Sequence, residues 1–168
     1  MQPSYKHYLK IIKNTCTGHE GPVTIPSEEL ADLARLAEEH CTVPFVLSSF
    51  RGTPFYSSML QRTRSMMLNY YQIDQFTRHT VSLLEDNGID CILLKGISLA
   101  SCYPVPEYRK LGDLDLYISR KSDISKAQKL LESHGYIAEN ELSDHHLTYH
   151  YTFPKTGRRF LLELHYRV

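Results

Sequence analysis

The chain contains no tryptophan and carries no formal net charge, since 19 Lys and Arg balance 19 Asp and Glu. A neutral chain exerts no global pull on a polyanion or an anionic lipid surface, so long nucleic acid is not favoured as a partner. Local basic clusters such as Lys155–Arg159 still offer charge to single phosphates. Long apolar runs are missing as well. Nothing approaches the roughly 20 residues of a membrane-spanning helix. The N-terminal Tyr8-Leu9-Lys10-Ile11-Ile12-Lys13 is interrupted by lysine and lacks the apolar core of a secretory signal. No membrane partner is expected. The four cysteines, Cys16, Cys41, Cys91 and Cys102, are scattered, with no Cys-x-x-Cys. That spacing argues against a structural zinc site and a disulfide framework, and for a reduced, cytoplasmic chain. Gly-x-Gly-x-x-Gly, a Walker loop, a Ser/His/Asp nucleophile pattern, internal repeats and low-complexity segments are also absent.

What is present reads as a helical half followed by a mixed half. A short amphipathic helix is expected at 4–14, then a Gly- and Pro-containing link over 18–26. Ser27 reads as an N-cap with Glu28 and Glu29 in the first turn, and Leu30, Leu33, Ala34 and Ala37 form an apolar stripe. Thr53-Pro54 is expected to open a long helix marked by Met59, Met66, Met67, Ile73, Phe76, Val81 and Leu84, and Asn87-Gly88 to stop it. From Ile89 the pattern changes. Residues 89–94 read as a buried strand, 97–103 as a short helix, 113–119 as a strand, and 122–134 as a helix. Leu147–Phe153 and Arg159–Tyr166 flank Pro154-Lys-Thr-Gly157 as a hairpin.

The chemistry concentrates at Asp113-Leu-Asp115-Leu-Tyr117-Ile118. Side chains alternate along a strand, so Asp113 and Asp115 share one face while Leu114, Leu116 and Ile118 share the other. Two carboxylates on one rigid face suit a hard divalent cation. A third acid, Glu163, lies in a later apolar strand, Phe160-Leu-Leu-Glu163-Leu164. Together they point to metal-dependent phosphoryl or nucleotidyl transfer. An i, i+2 acid pair recurs by chance, as at Glu139 and Glu141, to which no chemistry is assigned. In haloacid-dehalogenase-type hydrolases and many metal-dependent glycosyltransferases an Asp-x-Asp closes an apolar strand. Residues 107–112 are polar, so those families fit poorly. His165 follows Glu163 by two and shares its face; it could support the site or touch substrate, although a histidine near a carboxylate pair is often merely structural. His145, His146 and His150 cluster near Asp144, but a zinc site there would need a helix, and the region reads as loop and strand.

Leu94-Lys95-Gly96, Arg109-x-x-x-Asp113-Leu-Asp115-Leu and Leu162-Glu163-Leu164-His165 resemble the nucleotidyltransferase superfamily. The resemblance spans about residues 80–168 and is closest to the bacterial group of uncharacterised nucleotidyltransferases with Leu-Lys-Gly in place of Gly-Ser. It implies an α+β fold: a helical N-terminal region at 1–88, then a nucleotidyltransferase-like core at 89–168, a small mixed β-sheet flanked by helices. Because related proteins continue into further helices after the third-acid strand, a core truncated or minimal at Val168 is expected.

The resemblance also implies roles. Asp113, Asp115 and Glu163 become catalytic metal ligands for Mg2+ or Mn2+, with an NTP such as ATP as substrate. Gly96 sits at the phosphate turn, and Lys95, Ser98 and Arg109 become further nucleotide contacts. Ile97 stands where the superfamily has serine, Ser98 follows one position later, and Lys95 offers a positive charge instead. Arg109 is expected to organise a phosphate or the metal site, or else to pair with Asp113 or Glu107. The acceptor could be a small molecule, a protein side chain or RNA. The altered Gly-Ser turn and the early end motivate an alternative: a non-catalytic nucleotide-binding or regulatory module with the same fold.

Overall fold

The computed structural model describes residues 3–18, 23–139 and 145–167. Glu141, Asp144 and the middle of the 18–26 link lie outside them. Along the chain come α1 (Pro3–Thr17), α2 (Leu30–Glu39), α3 (Val43–Val46), α4 (Tyr56–Glu85), β1 (Ile92–Leu93), α5 (Lys95–Ala100), β2 (Leu114–Tyr117), α6 (Lys121–Ser133), β3 (Ile137–Ala138), β4 (His146–Thr152) and β5 (Arg159–His165). The architecture is α+β, with an N-terminal helical region and a five-stranded mixed sheet flanked by helices. Residues 1–70 with 100–110 form one compact unit, and residues 71–99 with 111–168 form the other.

The first unit is built on helical stripes. Tyr8 and Ile11 of α1, Leu33, Leu36 and Ala37 of α2, Val43, Val46, Phe50 and Met59 make one buried cluster. The spacings of three and four put these residues on inward faces. The Tyr8 hydroxyl, within the cluster, lies 2.7 Å from Thr42 Oγ1. The two expected helix starts differ in detail from the sequence reading. Ser27 opens a three-residue 3₁₀ turn without a side-chain capping bond. Helix α4 begins at Tyr56, and Thr53 donates its hydroxyl to the Phe50 carbonyl at 2.8 Å.

The second unit contains the C-terminal half of α4. Ile73, Phe76 and Leu84 are buried there, along with Thr77 and Thr80. Each threonine hydroxyl donates back to a helix carbonyl, Ile73 and Phe76 respectively, which satisfies it inside the core. Phe76 stacks on Phe160 at 4.9 Å and on Tyr151 at 5.9 Å, so the helix packs on the sheet through aromatic rings. Helices α4 and α6 end alike. Gly88 and Gly135 take φ of 70° and 86°. The following amides, of Ile89 and Tyr136, reach back to the Leu84 and Leu131 carbonyls at 3.0 and 3.1 Å. This is the Schellman stop that Asn87-Gly88 and His134-Gly135 predict.

The strand order is β1-β2-β5-β4-β3. Strand β2 is antiparallel to β1 and parallel to β5; β4 is antiparallel to β5 and β3. The hairpin of β4 and β5 forms as its turn residues predict. The buried strand expected at 89–94 is instead a two-residue edge strand, with Ile92 55% exposed. An edge position covers one side only, so an apolar run there does not mean full burial. Strand β3 is an addition to the expected order. Its two residues are both exposed and carry no alternation to read.

Candidate metal and nucleotide site

Strands β2 and β5 build the site by register. Their parallel pairing sets Leu114 beside Leu162, Asp115 beside Glu163, Leu116 beside Leu164 and Tyr117 beside His165. The four leucines are buried. Each acid therefore stands between two core leucines on its own strand, and alternation turns both acids to the opposite face. The site is placed by hydrophobic anchoring of the residues on either side of each carboxylate.

Asp115 is the centre. It is only 4% exposed, so it is not the solvated strand-end acid that sequence alternation alone would allow. Its Oδ1 accepts from the Lys95 ammonium at 3.2 Å and lies 3.0 Å from His165 Nε2. The same His165 nitrogen is 3.3 Å from Glu163 Oε2. A buried carboxylate needs compensation of this kind. The hydrogen bond and charge of Asp115 raise the Lys95 pKa and hold the ammonium protonated. The Lys95 side chain is 63% exposed, so this pair exchanges with solvent more readily than the imidazole contacts.

The turn after β1 brings Lys95 there. Lys95 takes φ of 26° and Gly96 φ of 34° with ψ of −113°. Positive φ is strained for lysine and natural for glycine. A Cβ added at Gly96 would stand 3.6 Å from the Asp113 carbonyl oxygen and 4.0 Å from Asp115 Oδ2. Gly96 thus abuts the carboxylate site. Ser98 donates its hydroxyl to the Lys95 carbonyl at 2.7 Å, closing the turn. The Leu94 amide donates to the Asp115 carbonyl at 3.0 Å and ties the turn to β2.

Among the described residues, Asp115, Glu163 and His165 offer ligand atoms lying within 4.8 Å of one another. Asp113 is half-buried, just before the first residue of β2, and is not in that group. It does lie near enough to Lys95 to favour the lysine's charge. Arg109 belongs to the first unit, where its Nη1 donates to the Lys110 carbonyl at 3.5 Å. The structure thus brings together Asp115, Glu163, Lys95 and Gly96 from the sequence-derived set, and adds His165 to the donor atoms. The signal for His165 was its i+2 spacing from Glu163. What the spacing lacked was the parallel register that brings Asp115 to the same nitrogen.

A comparison with curated proteins finds no match. The family described as uncharacterised nucleotidyltransferase matches residues 26–168, which include every residue of the carboxylate site and the Lys95–Gly96 turn. By that match over most of its length, the chain belongs to the uncharacterised nucleotidyltransferase family.

Proposed function

We propose that the protein transfers a nucleoside monophosphate from an NTP to a hydroxyl or phosphate acceptor, with Mg2+ or Mn2+ as cofactor. The observation that carries this reading is the pairing of Asp115 with Glu163 across β2 and β5, with Gly96 against the Asp115 carboxylate. The donor chemistry fits a divalent cation: two carboxylates converge, one of them buried, and the nearby lysine supplies a single positive charge. Asp113, Asp115 and Glu163 would hold the metal, which when bound offsets phosphate charge and acidifies an attacking hydroxyl.

The chain's own groups carry the remaining work. The open side of Gly96 lets backbone approach a phosphate without a side chain intervening. Lys95 is placed to exchange its Asp115 contact for a phosphate oxygen, and Ser98 holds the turn in shape. Arg109 is assigned to phosphate on its guanidinium chemistry. Glu163 would receive the proton of the attacking group. The acceptor is a small molecule, a protein side chain or RNA. A second reading, nucleotide binding without turnover, draws on two observations: the Lys95 ammonium already occupies Asp115, and Ile97 stands at the superfamily's serine position.

Calorimetric titration with ATP and GTP, with and without Mg2+, followed by pyrophosphate-release assays over an acceptor panel, tests the proposal. Metal-dependent binding with release supports transfer. Binding without release across the panel moves the protein to the second reading.

A further inference from the structure

The position of one imidazole nitrogen sets this site apart from an all-carboxylate one. Two carboxylates, from Asp115 and Glu163, converge on His165 Nε2 at 3.0 and 3.3 Å. A histidine that merely supports a ligand gives one N–H to one acceptor. Here a single ring nitrogen faces two acceptors, and one N–H cannot bond fully to both. A cation at the point where these groups converge would satisfy all three donors at once, with Nε2 offering its lone pair beside the carboxylate oxygens. The ring is well placed for that duty. Its side chain is 12% exposed. His146, directly opposite on β4, packs its own ring at 5.2 Å. The backbone is fixed too, because the Ile118 amide donates to the His165 carbonyl at 3.0 Å.

We infer that His165 is a direct metal ligand beside the carboxylates, giving a mixed oxygen and imidazole site that selects Mn2+ over Mg2+. The inference rests on the proposed metal dependence and deepens it. Mg2+ is hard and takes oxygen ligands almost exclusively, whereas Mn2+ accepts oxygen and imidazole nitrogen together. Replacing one oxygen donor by nitrogen therefore costs Mg2+ more than Mn2+. Lys95 is consistent with this division of labour. Its ammonium holds Asp115 through Oδ1 from the solvent side, so it can leave when a cation arrives, while His165 stays in place.

The test uses the full chain and each metal ion as probe, alone and with a non-hydrolysable NTP. Calorimetric titration should give Mn2+ a dissociation constant at least about tenfold below that of Mg2+. Pulsed electron paramagnetic resonance of the Mn2+ complex should show nitrogen modulation from a coordinated imidazole. In His165→Asn the modulation should vanish and the two affinities should converge, chiefly through loss of Mn2+ binding. Circular dichroism checks that the variant is folded, and the wild-type spectrum decides the matter if it is not. Mn2+ bound without nitrogen modulation, and no tighter than Mg2+, overturns the inference while leaving a carboxylate metal site in place. Modulation that survives in a folded His165→Asn assigns the nitrogen elsewhere and also overturns it. No divalent binding under either condition removes the metal reading and this inference together.

Discussion

Each compact unit contains a histidine bonded to acid, and the two arrangements differ in stoichiometry. In the first unit His7 Nδ1 meets Glu29 Oε2 at 2.7 Å, one imidazole to one carboxylate, with the histidine one-third exposed. That pair ties α1 to the turn before α2. In the second unit one imidazole serves two carboxylates, and a lysine is added to one of them. The first arrangement is a simple pair. The second gathers two carboxylates on one imidazole nitrogen, with Asp115 buried where desolvation is costly. Burying such a cluster is a poor route to stability, and that contrast supports the proposed cation site.

Removing the central acid should separate the two arrangements most sharply. Asp115→Asn is expected to reduce turnover by at least about a hundredfold and to lose metal binding in titration. Glu29→Gln should leave pyrophosphate release unchanged and lower the unfolding free energy by about 0.5–1 kcal/mol in urea titration. Comparable effects of the two substitutions on release would make the second cluster as structural as the first. Glu163→Gln should come next. If Glu163 takes the proton of the attacking group, kcat should fall by about a hundredfold with KM nearly unchanged. A wild-type kcat would return Glu163 to a purely supporting place in β5.

Gly96→Ala tests the turn rather than the charges. The added Cβ meets only ordinary contacts at 3.6 and 4.0 Å, so the penalty is conformational, from φ of 34°. Weakening of NTP binding by about tenfold, or ~1.4 kcal/mol, is expected, with Mn2+ binding in the absence of nucleotide unchanged. Calorimetry with and without nucleotide distinguishes this from general unfolding. Normal NTP affinity would place the phosphate turn elsewhere.

Much of this was legible in the sequence, and the reasons differ by residue. Leu114, Leu116, Leu162 and Leu164 announce two half-buried strands by alternation, so the facing of Asp115 and Glu163 follows. Asn87-Gly88 and His134-Gly135 announce helix ends because few residues other than glycine take φ of 70° or 86°. Register is a different matter. No local pattern says that β2 lies parallel to β5 with Asp115 opposite Glu163, and the shared His165 nitrogen depends on that alone. The burial of Asp115 was hidden for the same reason. The edge character of Ile92 was hidden because an apolar residue reads alike in a core strand and on a sheet rim. Neither the Thr53 hydroxyl bond to the Phe50 carbonyl nor the lack of a capping bond at Ser27 is legible locally, because such partners are decided only in the folded chain.

The thiols give the smallest and most easily measured contrast between the units. Cys16, Cys41 and Cys102 lie in the first unit and Cys91 in the second, and all four are free. Burial, then the charges of Glu85 and Asp90, push the Cys91 thiol up from 9.0 to about 11. The thiolate is the reactive form. At a fixed pH below both values, that shift leaves Cys91 about a hundredfold less thiolate than an unperturbed cysteine. Cys16 and Cys102 are exposed and should react quickly with an aromatic disulfide reagent at pH 8, with Cys91 trailing by about that factor. The sign for stability is opposite to that of a paired carboxylate. Above pH 9 the unfolded chain releases the Cys91 proton while the folded chain keeps it, so this thiol makes unfolding easier as pH rises toward 11. Asp90→Asn removes one of the smaller contributions and should speed Cys91 modestly. A Cys91 that labels as fast as Cys102 would mean that the segment before β1 opens readily. The Lys95–Gly96 turn, four residues on, would then lack the rigid lead-in that a phosphate site requires.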